Sequence, residues 1–247
     1  MHKALTRRLV WPDCQNARDL GGLPRAGGVT RSRVLVRSDN IGFLNAAGRD
    51  AMHAYGVTTV IDLRSDSERT GASDPRFPRD PDQQERVAGV TYLHRALLDD
   101  ASMRKLGEAS NMFDRYLVML NRRPHAFCGV FTSIAEAEDG VLFHCFAGKD
   151  RTGLVAAMLL EMAEVPPDRI AEDFGETDIQ LADQYEKWIN EAVPEKRSEM
   201  REELRCPPER ILGVLDYLHQ KWGGVAGYLE ASGMTAANLD RLSAKLV

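Results

Sequence analysis

The sequence predicts an α/β fold with a central, mostly parallel sheet flanked by helices, and three observations lead there. Short runs rich in β-branched and aliphatic residues recur at 33–38, 57–65, 89–97 and 140–145. Helical patterns fill the intervals between them. From Pro166 onward the pattern is helical throughout. Strands that alternate with helices must be joined by crossovers, which favours parallel pairing. The 247 residues, 43% of them hydrophobic, are enough for one large core. With no repeat, low-complexity tract or long linker, a single domain over 1–247 is expected.

Each element has its own signal. "RVLVRS" (33–38) is the first strand, and "LNAAGRDAMHAYG" is a helix capped by Asn45 and stopped at Gly56. "VTTVIDLRS" (57–65) and "GVTYLHRAL" (89–97) follow as strands. The span from Met103 to Glu138 carries two helices broken near Pro124, with Cys128 in the apolar part as a core residue. "GVLFHC" (140–145) is the last strand. Beyond Arg151, Leu154, Val155, Met158, Leu159 and Met162 are filled in by alanines, which describes a helix buried nearly all round, its methionines serving as packing. The C-terminal part is all helical, and its charge-rich stretch "NEAVPEKRSEMREELRC" is expected to be the mobile region, as either a solvated helix face or a lid.

Composition removes several classes of function. A net charge of -5 argues against nucleic-acid binding by bulk electrostatics and against an anionic membrane surface. The N-terminus has basic residues but no apolar stretch of signal-peptide length, and no segment is long enough for stable membrane insertion, so a cytoplasmic location is expected. Oligomeric state is not legible. Cys14, Cys128, Cys145 and Cys206 lie far apart, without C-x-x-C pairs or histidines at zinc spacing. Neither a metal site nor a disulfide framework is indicated, and no cofactor is called for. Cys14 and Cys206 are candidates for exposure, and one of them for a protective partner of Cys145.

The segment "VLFHCFAGKDRTGLVAAMLLEMAEV" (141–165) places charged residues between two apolar elements. If a strand ends at Cys145 and a helix starts near Arg151, the backbone of Phe146, Ala147, Gly148, Lys149 and Asp150 must curl. Its N–H groups then converge at a helix N-terminus to make an anion cradle. Such donors also stabilise a thiolate, which makes Cys145 a nucleophile. Arg151 can hold two phosphoryl oxygens bidentately, and Gly148 lets the backbone approach them. Thr152 can donate a hydrogen bond to the sulfur. His144, which points away from Cys145 if the strand persists, orients the loop. A cysteine at a strand end is often a small buried hydrophobe, but that reading leaves Lys149, Asp150 and Arg151 unexplained. A Walker loop is excluded by Phe143 at its first glycine position and Asp150 after Gly148-Lys149.

"HCFAGKDRTG" resembles the P-loop of the cysteine-dependent protein tyrosine phosphatase superfamily, in its bacterial and fungal tyrosine/lipid, triple-specificity branch. "NARDLGG" (16–22), "LVRSDN" (35–40), "VIDLRSDSE" (60–68), "AEDFGETD" (171–178) and "WGGVAGYLEASG" (222–233) are similar to the branch's other landmarks in the same order. The resemblance implies a protein tyrosine phosphatase-like fold and hydrolysis of phosphate monoesters through a phosphocysteine. It implies Cys145 as nucleophile, Arg151 as clamp and main-chain donors from Phe146 to Arg151. The implied substrate is a phosphorylated protein, a phosphoinositide or a small metabolite, and a phosphate-reading module with little turnover is the reading from another class. A general acid is also implied, with Asp99 and Asp150 as candidates and Asp100 as a neighbour of the first. The alternatives are a turn or helix cap for Asp99 and a loop-bracing ion pair for Asp150. Lys149 is placed either to contact an additional phosphate or to face solvent. Ala17 stands where an aromatic usually precedes the arginine of the first landmark, and the loop before Asp99 lacks the prolines of relatives. Arg18, Asp19, Asp62, Arg64 and Glu68 read as a buried polar network beneath the loop. Phe146, Tyr92 and Phe174 are candidates for the walls of a phosphotyrosine slot.

Overall fold

The computed structural model describes residues 7–71, 86–107 and 109–247. The basic start of the chain, residues 1–6, lies outside them.

Five strands form the main sheet: β1 (Arg18–Asp19), β4 (Leu35–Ser38), β5 (Thr59–Asp62), β6 (Thr91–His94) and β7 (Val141–His144), in the order β1-β4-β7-β5-β6. β7 is central, and β4, β5 and β6 all run in its direction, whereas the short edge strand β1 is antiparallel to β4. In register, Ser38 and Asp62 flank His144, so the strands end together and present their carboxyl ends at one edge. β2 (Pro24–Arg25) and β3 (Gly28–Val29) form a separate two-residue pair.

Side chains alternate across the sheet as strand geometry requires. Leu35, Ile61, Val141, Phe143 and Cys145 enter the larger core, and Val36, Val60 and Leu142 enter the smaller one with Cys14 and Trp11. The smaller core is closed by α1 (Ala46–Tyr55), whose Asn45 accepts from Gly48 N–H and whose end is marked by Gly56 in the left-handed region. The larger is closed by α4 (Met112–Arg122), α5 (Pro124–Glu136), α6 (Asp150–Met162), α7 (Pro167–Gln180), α10 (Pro208–Trp222), α11 (Val225–Ala231) and α12 (Ala236–Lys245). Every residue of α6 from Arg151 to Leu160 is buried, so this helix runs through the middle of the larger core.

Three features depart from the sequence reading. The span around 103–138 holds a further helix, α3 (Asp100–Leu106), besides the two separated at Pro124. The charge-rich stretch is ordered as the end of α8 (Ala182–Glu191), a 3-10 turn at Pro194–Lys196, and α9 (Arg197–Leu204). Cys14 and Cys206 are buried, not exposed, and all four cysteines are free. Cys14 packs in the smaller core and Cys145 in the larger, and no disulfide joins them. Among the described residues no helix is long and apolar enough to cross a membrane.

Candidate active site

The loop from Cys145 to Lys149 joins the carboxyl end of β7 to the N-terminus of α6. Its shape is imposed by donors outside it. Phe146 O accepts from Asn40 N–H at 2.8 Å, Ala147 O from Asn16 Nδ2 at 2.9 Å, and Gly148 O from Arg37 Nη2 at 2.8 Å. In a trans peptide the carbonyl and the following N–H point in opposite directions. Three outward carbonyls therefore turn the N–H groups of Ala147, Gly148 and Lys149 inward. Those of Asp150 and Arg151 join them as first-turn donors of α6, which has no side-chain cap. Gly148 makes the curl possible, with φ at +67°, and a Cβ there would meet Ser38 O at 2.6 Å.

Buried charges behind the loop fix these donors. Asp173 on α7 accepts from Arg7 and Arg18 at one oxygen, 2.8 and 3.1 Å away, and from Arg37 at the other, 2.7 Å away. Arg18 in turn donates to Asn16 Oδ1 at 2.5 Å. Burial opposes ionisation of Asp173, yet Arg18, Arg37 and Arg7 outweigh it and hold the carboxyl far below the usual range. Asp173 thus orients both side chains that grip the loop. Asp19 accepts from the N–H groups of Gly21 and Arg33, and Asp62 holds Arg64 at 2.7 Å.

Arg151 is 7% exposed, and both its terminal nitrogens donate to Glu68, at 2.5 and 2.7 Å. Glu68 also accepts from Ser65 N–H as the far half of a capping box on α2 (Asp66–Thr70). Burial raises the Glu68 pKa, but the Arg151 guanidinium overrides this and leaves it below the ordinary value. Cys145 opens the loop, 3% exposed; burial works against the charge of the nearby Arg151 guanidinium, and Glu68 more than restores it. Thr152 Oγ1 is buried without a hydrogen-bond partner among the described residues. His144 Nδ1 is 3.0 Å from Cys145 O and its Nε2 is 3.9 Å from Asp62, on the side of the sheet away from the thiol.

Above the loop opens a cleft of about 840 Å³. Phe146, Ala147, Lys149 and Asp150 line its floor, with walls from Phe43, α4, α8 and α9. Phe146 stacks on Trp188 at 6.0 Å and lies 6.0 Å from Phe43, so aromatic rings border the mouth of the loop. Tyr92 and Phe174 are elsewhere. Tyr92 lies under Arg86 beside a separate small pocket that His144 also lines, and Phe174 is buried against α6.

The two aspartates differ in position. Asp99 caps α3, accepting from Ser102 N–H at 2.7 Å with one oxygen and from Arg123 at 2.5 Å with the other, and it does not line the cleft. Asp150 lines the cleft and accepts from Tyr116 Oη at 2.5 Å and Lys149 Nζ at 3.0 Å. Lys149 does not face solvent: its side chain is 4% exposed and its ammonium also donates to Glu203 O of α9 at 2.7 Å. Asp100, next to the cap, accepts from Ser67 Oγ at 2.6 Å. Among the described residues no cluster of three or more His, Cys, Asp or Glu is placed to hold a metal ion.

A cysteine at the floor of a ring of amides, with an arginine fixed beside it, is a site for phosphoryl transfer. Residues 9–247 match the model of the Tyrosine phosphatase family. The chain belongs to that family. This phosphatase is 32% identical to a tyrosine-protein phosphatase of Nostoc commune over 86% of its own length and 74% of the relative's. It is 28% identical to the triple specificity protein phosphatase PtpB of Mycobacterium tuberculosis over 96% of its own length and 98% of that protein. The crystal structure of P. aeruginosa TpbA overlaps 58% of this chain and 69% of its own at 22% identity, with a TM-score of 0.36 that adds nothing to the case. The phosphatase is thus a cysteine-dependent enzyme of the protein tyrosine phosphatase type.

Asn16, Arg37 and Asp173 sit inside stretches that the sequence marks as landmarks, but their contacts with the loop are not visible there. Tyr116 and Trp188 carry no sequence signal, since each lies on a helix where an aromatic reads as packing.

Proposed function

We propose that the chain is one metal-independent phosphatase domain, working in the cytoplasm, that hydrolyses phosphotyrosine and related phosphate monoesters by way of a phosphocysteine. Cys145 Sγ attacks phosphorus while the bond to the leaving oxygen breaks. The amides from Phe146 to Arg151 and the Arg151 guanidinium take up the charge of the equatorial oxygens. Asp150 gives its proton to the leaving oxygen, and its carboxylate then takes a proton from the water that releases phosphate from sulfur. Thr152 supplies a hydroxyl for the departing sulfur, and His144 steadies the loop through the Cys145 carbonyl.

The observation that carries this reading is the set of three outward-held carbonyls, which leaves the loop's amides facing one point. Asp150 is favoured over Asp99 as the acid because it lines the cleft, whereas Asp99 has both oxygens committed elsewhere. Burial raises the Asp150 pKa, and Lys149 and Tyr116 more than reverse that, so the resting carboxyl is ionised. A phosphate dianion in the cradle draws on Lys149 and Arg151 and repels the carboxylate, which favours the protonated form that the chemistry needs.

The aromatic border of Phe43, Phe146 and Trp188 suits an aryl leaving group. A second reading, a phosphoinositide or phosphorylated metabolite, is supported by the width of the cleft and by Arg115 and Lys187 on its walls. Phosphate release from phosphotyrosine peptides, phosphoinositides and sugar phosphates, each in the presence of EDTA, separates these readings. Highest kcat/KM on phosphotyrosine supports the first. Turnover abolished by EDTA, or undiminished in Cys145→Ser, overturns the mechanism.

A further inference from the structure

Tyr116 lies on α4, fully buried, and is separated from Asp150 by 34 positions of sequence, yet its hydroxyl hydrogen donates to Asp150 Oδ1 at 2.5 Å. Lys149 donates to the same oxygen at 3.0 Å. Oδ2 accepts no hydrogen bond among the described residues, and it is not among their buried unpartnered atoms. The Asp150 side chain is 30% exposed and lines the cleft, so Oδ2 is the oxygen that reaches it. We propose that Tyr116 is the positioning residue of the general acid: together with Lys149 it fixes Oδ1 and thereby assigns the transferred proton to Oδ2, facing the substrate's leaving oxygen.

This rests on the reading of Asp150 as the acid and adds to it which oxygen acts and what holds it. A carboxylic acid donates usefully only from an oxygen whose hydrogen points at the leaving group, and a carboxyl free to rotate spends little time there. Tyr116 can serve as a permanent donor. Burial, and then the neighbouring Asp150 charge, push its phenol well above the ordinary value, so it does not ionise while the enzyme works. The other titratable groups around Asp150 are Lys149 and Arg151 in the loop, Tyr185 on α8 and Cys206 ahead of α10, with Arg210 of α10 acting on Tyr116. Burial pushes Cys206 up to about 12 and raises Tyr185 further, so both stay neutral. Lys149 is also tied to Glu203 O and Arg151 to Glu68, which leaves the Tyr116 bond as the adjustable one.

The sign of the effect follows. A donor to a carboxylate favours its ionised form, so Tyr116→Phe raises the Asp150 pKa and moves the basic limb of kcat to higher pH. Placing a ring-fluorinated tyrosine at position 116 strengthens the donor and moves that limb to lower pH. With an unactivated alkyl phosphate, kcat/KM of Tyr116→Phe falls about tenfold, part of the roughly 10²–10⁴-fold that a general acid supplies. With nitrophenyl phosphate, whose leaving group needs no proton, kcat/KM falls much less, because that ratio ends at formation of the phosphocysteine, before Asp150 takes a proton from water.

The experiment is the pH dependence of kcat and of kcat/KM on both substrates for Tyr116→Phe, the fluorotyrosine form and Asp150→Asn, with melting temperatures to show each is folded. Opposite shifts of the limb in the two position-116 forms, and a loss of kcat/KM much larger on the alkyl phosphate than on nitrophenyl phosphate, bear the proposal out. Unmoved limbs, or equal losses on both substrates, overturn it while a slow Asp150→Asn leaves the acid assignment standing. An Asp150→Asn enzyme that hydrolyses the alkyl phosphate normally overturns the acid assignment itself. If Tyr116→Phe does not fold, the fluorotyrosine form decides alone by the direction of its limb.

Discussion

At Gly148 the loop has no room for a side chain, because a Cβ would press on Ser38 O and Asp39 N and the backbone has φ at +67°. Gly148→Ala is expected to cost about 1–3 kcal/mol in stability through strain. Its effect on turnover is larger in proportion, since the carbonyl that Arg37 holds must move and the amide of Lys149 turns with it. We expect kcat/KM to fall at least about tenfold, since outright removal of one oxyanion-hole donor costs about 10²–10³-fold. A thermal melt and steady-state kinetics check both, and an alanine variant of normal activity would show that the cradle tolerates a reshaped loop. At this scale the proposed nucleophile and clamp can be singled out from the sequence. Cys145 and Arg151 stand in one short loop, so local spacing and side-chain chemistry suffice to single them out. Glu68 meets Arg151 across 83 positions and Tyr116 meets Asp150 across 34, and no local pattern encodes such pairs. The choice between Asp99 and Asp150 was open for the same reason: a helix cap and a cleft-lining acid look alike in sequence.

Among the elements, the short helix α2 has the most specific task. Glu68 closes its capping box and also holds Arg151 with both oxygens. Glu68→Gln can still close the box but removes the buried countercharge of the guanidinium. Loss of one partner from a buried ion pair typically costs about 3–5 kcal/mol, and the variant is expected near the lower end because the amide still accepts one bond. Its kcat should fall more than its KM changes, since Arg151 then needs the transition-state charge to be held in plane. Denaturant midpoints and kinetics on one substrate test this; a change confined to KM contradicts it. The helices with strong boundary chemistry were readable in advance, as α1 between Asn45 and Gly56 and α5 starting at Pro124 illustrate. β1, β2 and β3 were not, because two residues cannot show a period of two. α9 was seen only as a charged stretch, and its place over the cleft depends on Glu203 meeting Arg115 and Lys149, 2.7 Å from each.

Across the whole molecule, the active loop is supported by carboxylates buried against arginines. Asp173 and Asp62 are held far below their ordinary values and Glu68 below its own; burial works against this in each case and the cationic partners prevail. A group depressed on folding contributes stability that is complete above its unfolded pKa, about 4, and is lost as pH falls toward the native value. Urea midpoints should therefore be level from neutral pH down to about 5 and fall steeply below about 4. Asp173→Asn should lose stability at neutral pH and show a shallower acid limb. A limb as steep as that of the unaltered protein would place the acid sensitivity elsewhere. The same layout accounts for the position of the site, since parallel strands that end together leave a crevice at their carboxyl edge, and here the central strand leads directly into Cys145, the proposed nucleophile. The most direct measurement is acid quench of the enzyme during turnover of nitrophenyl phosphate, followed by peptide mass spectrometry. A phosphoryl group on the peptide carrying Cys145, lost in Cys145→Ser, is the expected result. Phosphate released in the first turnover with no phosphorylated Cys145 at any quench time, or a phosphoryl group on another side chain, would contradict it.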